Sequence, residues 1–162
     1  MIRHIAITFG SEDILRPIID KYPDRELQLY KLSSTEAKEL MLLDYSGMEP
    51  IFESPVTYDA LAHAGNDNWT GFVNFATLNL NEDQQKVFDA RVNKLMSDIL
   101  PTGMNSIYSL NYHNDINQRI LLTTWESYSN YEIWHKDSLD LTPKGYQSSP
   151  SSYHHEASYI PA

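Results

Sequence analysis

The sequence predicts an α+β protein whose second half runs strand, helix, strand, strand, helix, strand. Three observations support this fold class. Four segments after Gly71 are short, alternating and rich in β-branched and aromatic residues, as half-buried strands are. Two segments between them open with the residue spacing of a helix capping box. The connections carry Asn, Asp, Gly or Pro, which favour turns, so the pattern indicates one sheet covered by two helices.

The first strand of this half is predicted over residues 71–80, GFVNFATLNL. Asn81 follows as a good N-cap, and Gln84 stands three residues later, where a capping box needs an amide or carboxylate. A helix is therefore predicted over 82–99, and Pro101 ends it. Four apolar residues share one face of this helix: Phe88, Val92, Leu95 and Ile99.

The next two strands are predicted over 104–112 and 118–125. The intervening HNDIN favours a turn, so these strands form a hairpin. Ser129 and Glu132 have capping-box spacing, which predicts a short helix around 129–136.

A last strand near 153–160 ends at Pro161. The resulting order, βαββαβ, is the ferredoxin-like plan.

The first half of the chain is predicted to be smaller and rich in strands. The predicted elements are strands near 2–9, 26–32 and 39–45 and a short helix near 56–64. The sequence GNDN at 65–68 divides the chain into halves at 1–66 and 67–162. Because the joint is short and the first half is small, we expect the N-terminal strands to pack on the second half.

The composition of the chain restricts the classes of molecule that it is expected to bind. The formal net charge of -10 repels phosphate backbones and anionic membrane surfaces. The first twenty residues lack the apolar core of a signal peptide, and no apolar run has the length of a membrane span. We therefore expect a cytoplasmic protein that binds neither nucleic acid nor membrane. The chain has no cysteine, which removes disulfides, thiolate metal sites and thiol nucleophiles.

The order LTTWES, then SNYEIW, after a predicted hairpin resembles the antibiotic biosynthesis monooxygenase (ABM) superfamily. The segments TFG, ELQLYKLSS, ELMLLDYS and FESPVTYDAL resemble the two-part TRAP group, which is related to the heme-degrading monooxygenases. This resemblance implies a dimeric α+β barrel around a buried pocket. The barrel would be completed either by a second copy in a homodimer or by the N-terminal half of the same chain.

The resemblance also implies catalytic residues. In heme-degrading relatives an asparagine on the first barrel strand and a tryptophan on the second helix serve the reaction. Ala76 stands at the asparagine position, but Asn74 lies two residues earlier, on the same face of the strand. Trp134 matches the helix tryptophan, and Trp125 matches a tryptophan at a strand end. Asn74 and Trp134 are thus the catalytic candidates, although large aromatic residues facing a sheet are more often core.

Heme, if it binds, needs an axial ligand. Lys144 stands where the resemblance implies histidine, and a lysine amine is normally protonated. Tyr146 is chemically capable of binding ferric iron, and His135 is the alternative ligand beside Trp134. Consecutive helix residues point about 100° apart, so His135 and Trp134 are not expected to face the same way. The sequence leaves two alternatives for the cofactor, heme or none.

The leading functional hypothesis is a monooxygenase-like protein that binds a hydrophobic aromatic ligand, with heme as one candidate. The alternatives are a non-catalytic TRAP-like signalling or stress-response protein and a ligand-binding module that has lost catalysis. His154 and Glu156 share a strand face, but two ligands do not make a site, so no metal site is predicted. The predicted pocket walls are Phe72, Ala76, Tyr108, Trp125, Lys144 and Tyr146.

Overall fold

The computed structural model describes residues 4–33, 39–113, 115–137 and 154–162, which form a closed barrel of eight antiparallel strands with three helices outside it. The strands are β1 (His4–Gly10), β2 (Leu27–Leu32), β3 (Leu40–Asp44), β4 (Val56–Gly65), β5 (Phe72–Asn79), β6 (Met104–Tyr112), β7 (Asp115–Trp125) and β8 (His154–Pro161). The helices are α1 (Glu12–Lys21), α2 (Glu82–Ser97) and α3 (Tyr128–Asp137). None of the helices in these residues is long and apolar enough to cross a membrane.

The two halves of the barrel repeat one strand order. Around the barrel the order is β4-β1-β3-β2 and then β8-β5-β7-β6, so each half follows the ferredoxin-like sequence of neighbours. The halves meet where β2 pairs with β8 and where β4 pairs with β6. The barrel is therefore completed within one chain. The predicted division into domains at residue 66 stays a prediction, because the sheet runs continuously through both halves.

Strand alternation separates the barrel interior from the surface under the helices. On β5, Val73 and Phe75 belong to the interior cluster, whereas Phe72 and Ala76 belong to the cluster under α2 and α3. A third cluster, which includes Leu15, lies under α1. This alternation places Asn74 on the same face as Ala76, as the sequence predicts, and that face lies under the helices.

The helix α2 begins as predicted. Asn81 and Gln84 form both hydrogen bonds of a capping box, at 2.9 and 3.0 Å. The helix ends at Ser97, and Ile99 is 96% exposed. The prediction that Ile99 continues the apolar face of this helix was wrong, because the chain leaves the helix before that residue.

The N-cap of α3 lies two residues before the predicted N-cap, Ser129. The backbone N–H of Asn130 donates to Ser127 Oγ at 3.3 Å, so Ser127 and not Ser129 occupies the cap. The predicted Ser129–Glu132 box was wrong, although a helix at 129–136 was correct.

Two predictions in the first half were wrong. Residues 56–64 form a strand and not a helix, because β4 pairs with both β1 and β6 and turns Tyr58 into the barrel. The helix α1 was missed, even though Ser11 precedes it, its first turn is acidic and Lys21 ends it. Pro17 inside this helix obscures the pattern, since proline usually ends helices.

Candidate functional site

A groove between α3 and β8 has a volume of about 650 Å³. The end of β2 forms its rim. We call it the α3–β8 groove. It is lined by Leu32, Ser33, Tyr128, Tyr131, Glu132, His135, Lys136, His155, Glu156, Ala157, Ser158 and Tyr159. This volume lies within the range of pockets that hold organic ligands, about 300–1,000 Å³.

Helix periodicity gives the groove an aromatic wall. Tyr128, Tyr131 and His135 follow one another at spacings of three and four residues, so they share one face of α3. Tyr131 is 7% exposed, and its ring lies 5.0 Å from that of Phe72 and 5.8 Å from that of Trp125. This packing fixes the wall against β5 and β7.

Beneath the groove lies a polar pair, in which Asn74 is buried and Ser158 is half-buried. Asn74 on β5 and Ser158 on β8 are directly opposite each other in the sheet. Ser158 Oγ donates a hydrogen bond to Asn74 Oδ1 at 2.7 Å, and Asn74 is 3% exposed. Ser158 lines the groove itself, so Asn74 contacts the groove through the serine hydroxyl.

Charged and ionisable groups face one another across the groove. His135 Nε2 on α3 lies 3.3 Å from Glu156 Oε1 on β8. On α3, Lys136 Nζ lies 3.1 Å from Glu132 Oε1. Burial, followed by the charge of Glu156, raises the pKa of the Tyr131 phenol, so this group stays protonated as a hydrogen-bond donor at neutral pH.

The two tryptophans support α3 from the side away from the groove. The Trp125 and Trp134 rings lie 5.3 Å apart, and neither lines the groove. Trp125 is completely buried and donates from Nε1 to Thr123 Oγ1 at 2.8 Å. As predicted, His135 faces another way than Trp134: it tilts over the Tyr131 ring at 5.2 Å and lines the groove.

The structure does not bring all predicted site residues together. Tyr108 lies in the barrel interior, where its hydroxyl donates to Asp67 Oδ1 at 2.8 Å and its ring stacks on His63 at 4.2 Å. It therefore lies on the opposite side of the sheet from Asn74. Phe72 and Ala76 belong to the packed layer under the helices. Lys144 and Tyr146 lie outside the described residues.

The sequence did not predict several of the residues that line the groove. Glu156 was considered only as a metal ligand, and Tyr131 and Ser158 were not considered at all. Strand alternation places Glu156 and Ser158 on one face, but their position opposite Ala76 and Asn74 follows from the β5–β8 register, which local sequence does not specify. No group of three His, Asp or Glu residues within the described ranges is arranged to hold a metal ion.

Comparison with solved structures identifies the fold. No protein-family model matches the chain. A ferredoxin-fold protein from Listeria monocytogenes, described as related to antibiotic biosynthesis monooxygenases, is 21% identical with a TM-score of 0.75, over 100% of this chain and 96% of the other. The chain shares the fold of ABM-related proteins.

Two further structures with this ABM-type fold have different descriptions. A heme-degrading enzyme from Listeria monocytogenes is 20% identical with a TM-score of 0.71, covering 99% of this chain and 100% of the other. A structure described as a major regulator of staphylococcal pathogenesis is 15% identical with a TM-score of 0.79, covering 99% of each chain. The fold thus carries both enzymatic and regulatory proteins, and function has to be argued from the groove.

The described residues of the groove fit heme poorly. An imidazole is present at His135, but its Nε2 faces the Glu156 carboxylate. This carboxylate contact occupies the imidazole nitrogen that would have to reach the iron.

Proposed function

We propose that the chain is a monooxygenase-like protein that binds a hydrophobic aromatic ligand in the α3–β8 groove. One observation carries this proposal: a 650 Å³ groove with an aromatic wall lies directly above the Ser158–Asn74 pair. The aromatic and aliphatic parts of the wall favour a planar apolar ligand. Because Glu156 engages His135 Nε2, we assign no step to iron.

Each part of the groove has a separate role in binding. Tyr131 supplies a fixed aromatic surface, because Phe72 and Trp125 hold its ring from behind. Ser158, held by Asn74, offers a positioned hydroxyl to a polar atom of the ligand. In the proposed reaction dioxygen oxidises a CH2 group of an electron-rich ligand such as anthrone to a carbonyl. One oxygen atom enters the product, the other leaves as water with the two hydrogens of the broken C–H bonds, and the ligand supplies all four electrons. The groove holds the ligand in place and reduces its contact with water.

The test combines binding with oxygen uptake. Calorimetric titration with 1-methoxynaphthalene is expected to show saturable binding to the unaltered protein. Ser33→Trp places a large ring on the groove rim and is expected to weaken binding at least about tenfold. Ser54→Trp, at an exposed position outside the lining residues, is the matched control and should bind as the unaltered protein does. Equal affinity in all three proteins would contradict the proposed site.

A non-catalytic TRAP-like signalling or stress-response role is the second candidate. The TM-score to the staphylococcal regulator, 0.79, exceeds that to the heme-degrading enzyme, 0.71. An oxygen electrode separates the two candidates. Oxygen consumption with an electron-rich aromatic such as anthrone, above the rate without protein and lowered by Ser33→Trp, supports the oxygenase. Saturable binding without oxygen consumption favours the regulator or a binding module that has lost catalysis.

A further inference from the structure

The hydroxyl of Ser158 lies at the floor of the α3–β8 groove, and the strand register sets the side of the sheet on which it lies. Ser158 is directly opposite Asn74 in the β5–β8 pair, so both side chains lie on the sheet face that carries the helices. The serine is half-buried and lines the groove. A ligand in the groove can therefore contact this hydroxyl.

The single hydrogen atom of this hydroxyl is already used. Ser158 Oγ donates it to Asn74 Oδ1 at 2.7 Å, and an amide carbonyl oxygen accepts hydrogen bonds but does not donate them. Because Asn74 is buried, turning the hydroxyl toward a ligand would leave this carbonyl oxygen without its partner, which is unfavourable.

The two lone pairs of the serine oxygen remain for a ligand. Within the part of the chain that the structure describes, Ser158 Oγ accepts no hydrogen bond. A hydroxyl that has given its hydrogen away can still accept up to two. Toward the groove Ser158 therefore presents an acceptor and no donor.

The backbone of Ser158 is held from both neighbouring strands. The backbone N–H of Ser33, at the end of β2, donates to the carbonyl oxygen of Ser158 at 3.0 Å, and β5 pairs with β8 along the other edge. This support keeps the hydroxyl directed at Asn74. An acceptor that is positioned in advance loses little conformational freedom when a ligand binds.

We infer that Ser158 acts toward a ligand as a hydrogen-bond acceptor only. The α3–β8 groove therefore selects aromatic ligands that donate a hydrogen bond, such as phenols, over aromatic ethers of similar shape. An ether oxygen at the same place would lose its hydrogen bond to water and meet only lone pairs. Ser158 is the specificity-determining residue, and Asn74 is a positioning residue that holds the serine hydrogen. This inference rests on the proposed function, since it narrows the ligand of the same groove.

Three probes of similar size, all uncharged at neutral pH, test this selectivity. 1-Naphthol donates a hydrogen bond, 1-methoxynaphthalene only accepts one, and 1-methylnaphthalene does neither. In calorimetric titrations of the unaltered protein we expect 1-naphthol to bind about fivefold more tightly than the ether, the factor that one neutral hydrogen bond contributes. The hydrocarbon reports whether the groove is intact, and its affinity should stay within about twofold in the variants.

Ser158→Ala removes the acceptor. The affinity for 1-naphthol is expected to fall about fivefold, while the affinity for the ether changes by less than about twofold. Ser54→Ala is the matched control, because it removes a serine hydroxyl at an exposed position outside the groove. It should leave the preference for 1-naphthol over the ether unchanged.

Asn74→Leu reduces the same preference by a different route. Leucine keeps the branched shape of asparagine but accepts no hydrogen bond, so the Ser158 hydroxyl becomes free to donate to a ligand. We expect the affinity for 1-methoxynaphthalene to rise about fivefold and that for 1-naphthol to stay within about twofold. A serine that only supports the sheet would not produce this gain for the ether.

The outcomes separate this inference from the proposed function. If the unaltered protein binds the ether as tightly as 1-naphthol, the groove binds aromatics without this selectivity, and the inference alone is overturned. It is also overturned if Ser158→Ala or Asn74→Leu leaves the preference for 1-naphthol unchanged. A variant that also loses 1-methylnaphthalene has lost the groove, and the unaltered protein and the other variant then decide. If none of the three probes binds the unaltered protein, the proposed function fails and the inference fails with it.

Discussion

At the scale of single residues, strand alternation predicted correctly that Asn74 and Ala76 share one face of β5, but it predicted few of the residues that line the groove. The structure shows that this face lies under the helices, and it adds Ser158 as the hydrogen-bond partner of Asn74. The partner could not be predicted, because it lies 84 residues away on a strand whose register depends on the closed barrel. Trp134 and Trp125 were predicted at the site, and they pack together behind it.

The tryptophan pair gives a prediction for stability. Trp125→Ala is expected to lower the free energy of unfolding by about 3–5 kcal/mol, because the ring is fully buried and leaves a cavity. Trp134→Ala should cost less, about 1–2 kcal/mol, since this ring is partly buried. Urea denaturation measures both values. Trp125→Phe, which keeps most of the packing but loses the hydrogen bond to Thr123, should lie between them. A larger loss for Trp134 than for Trp125 would contradict this packing.

At the scale of elements, the sequence predicted the start of a helix correctly where the residues that cap it are close together in the chain. The capping box of α2 was visible in the sequence because all its parts lie within four residues. The strand β4 was not predicted, because its three alanines after Asp59 suit a helix and its partners β1 and β6 come from other parts of the chain. The hydrogen bonds that β4 makes along both of its edges outweigh the weak preference of its residues for a helix.

The helix caps give a matched pair of substitutions. Asn81→Ala removes an observed hydrogen bond to the backbone N–H of Gln84 and should cost about 1 kcal/mol of stability. Ser11 occupies the corresponding position before α1, but its side chain makes no capping hydrogen bond. Ser11→Ala is therefore expected to change stability by less than about 0.5 kcal/mol. Thermal or urea unfolding of the two variants compares them directly. Equal losses would show that the capping geometry of α2 contributes nothing specific.

At the scale of the whole molecule, the repeated strand order explains how one chain forms the barrel. The ferredoxin-like order was predicted for the second half alone. In the first half it was obscured by the missed helix α1 and by the misassigned β4. Closure buries a set of tyrosines in the barrel interior, including Tyr30, Tyr58 and Tyr108.

Because of these buried tyrosines, the free energy of unfolding is expected to fall at alkaline pH. Burial raises the pKa of Tyr30, Tyr58 and Tyr108 above the ordinary value of 10.0. The unfolded chain releases these protons above that pH while the folded barrel retains them, so their contribution is complete below pH 10 and is lost as the pH rises beyond it. Urea midpoints should therefore fall steeply above about pH 10.

Substitutions at two tyrosines provide the control for this pH dependence. Tyr58→Phe, in the barrel interior, is expected to make the alkaline decline shallower. Tyr128→Phe, at an exposed position on α3, should leave it unchanged. Ultraviolet absorbance of phenolate follows the ionisation itself. If all eleven tyrosines ionise together near pH 10 without loss of structure, the interior is open to water and this account of the barrel is wrong.

The central claim is that the α3–β8 groove is the ligand site, and mapping of amide chemical shifts by NMR during a titration with 1-naphthol tests it most directly. We expect the largest shift changes at residues 128–136 on α3 and 155–159 on β8, which line the groove. Amides of α1, on another face of the barrel, should stay unchanged. Shift changes centred on α1 or on the first-half strands β1 and β3, with α3 and β8 unaffected, would contradict the assignment of the groove as the functional site.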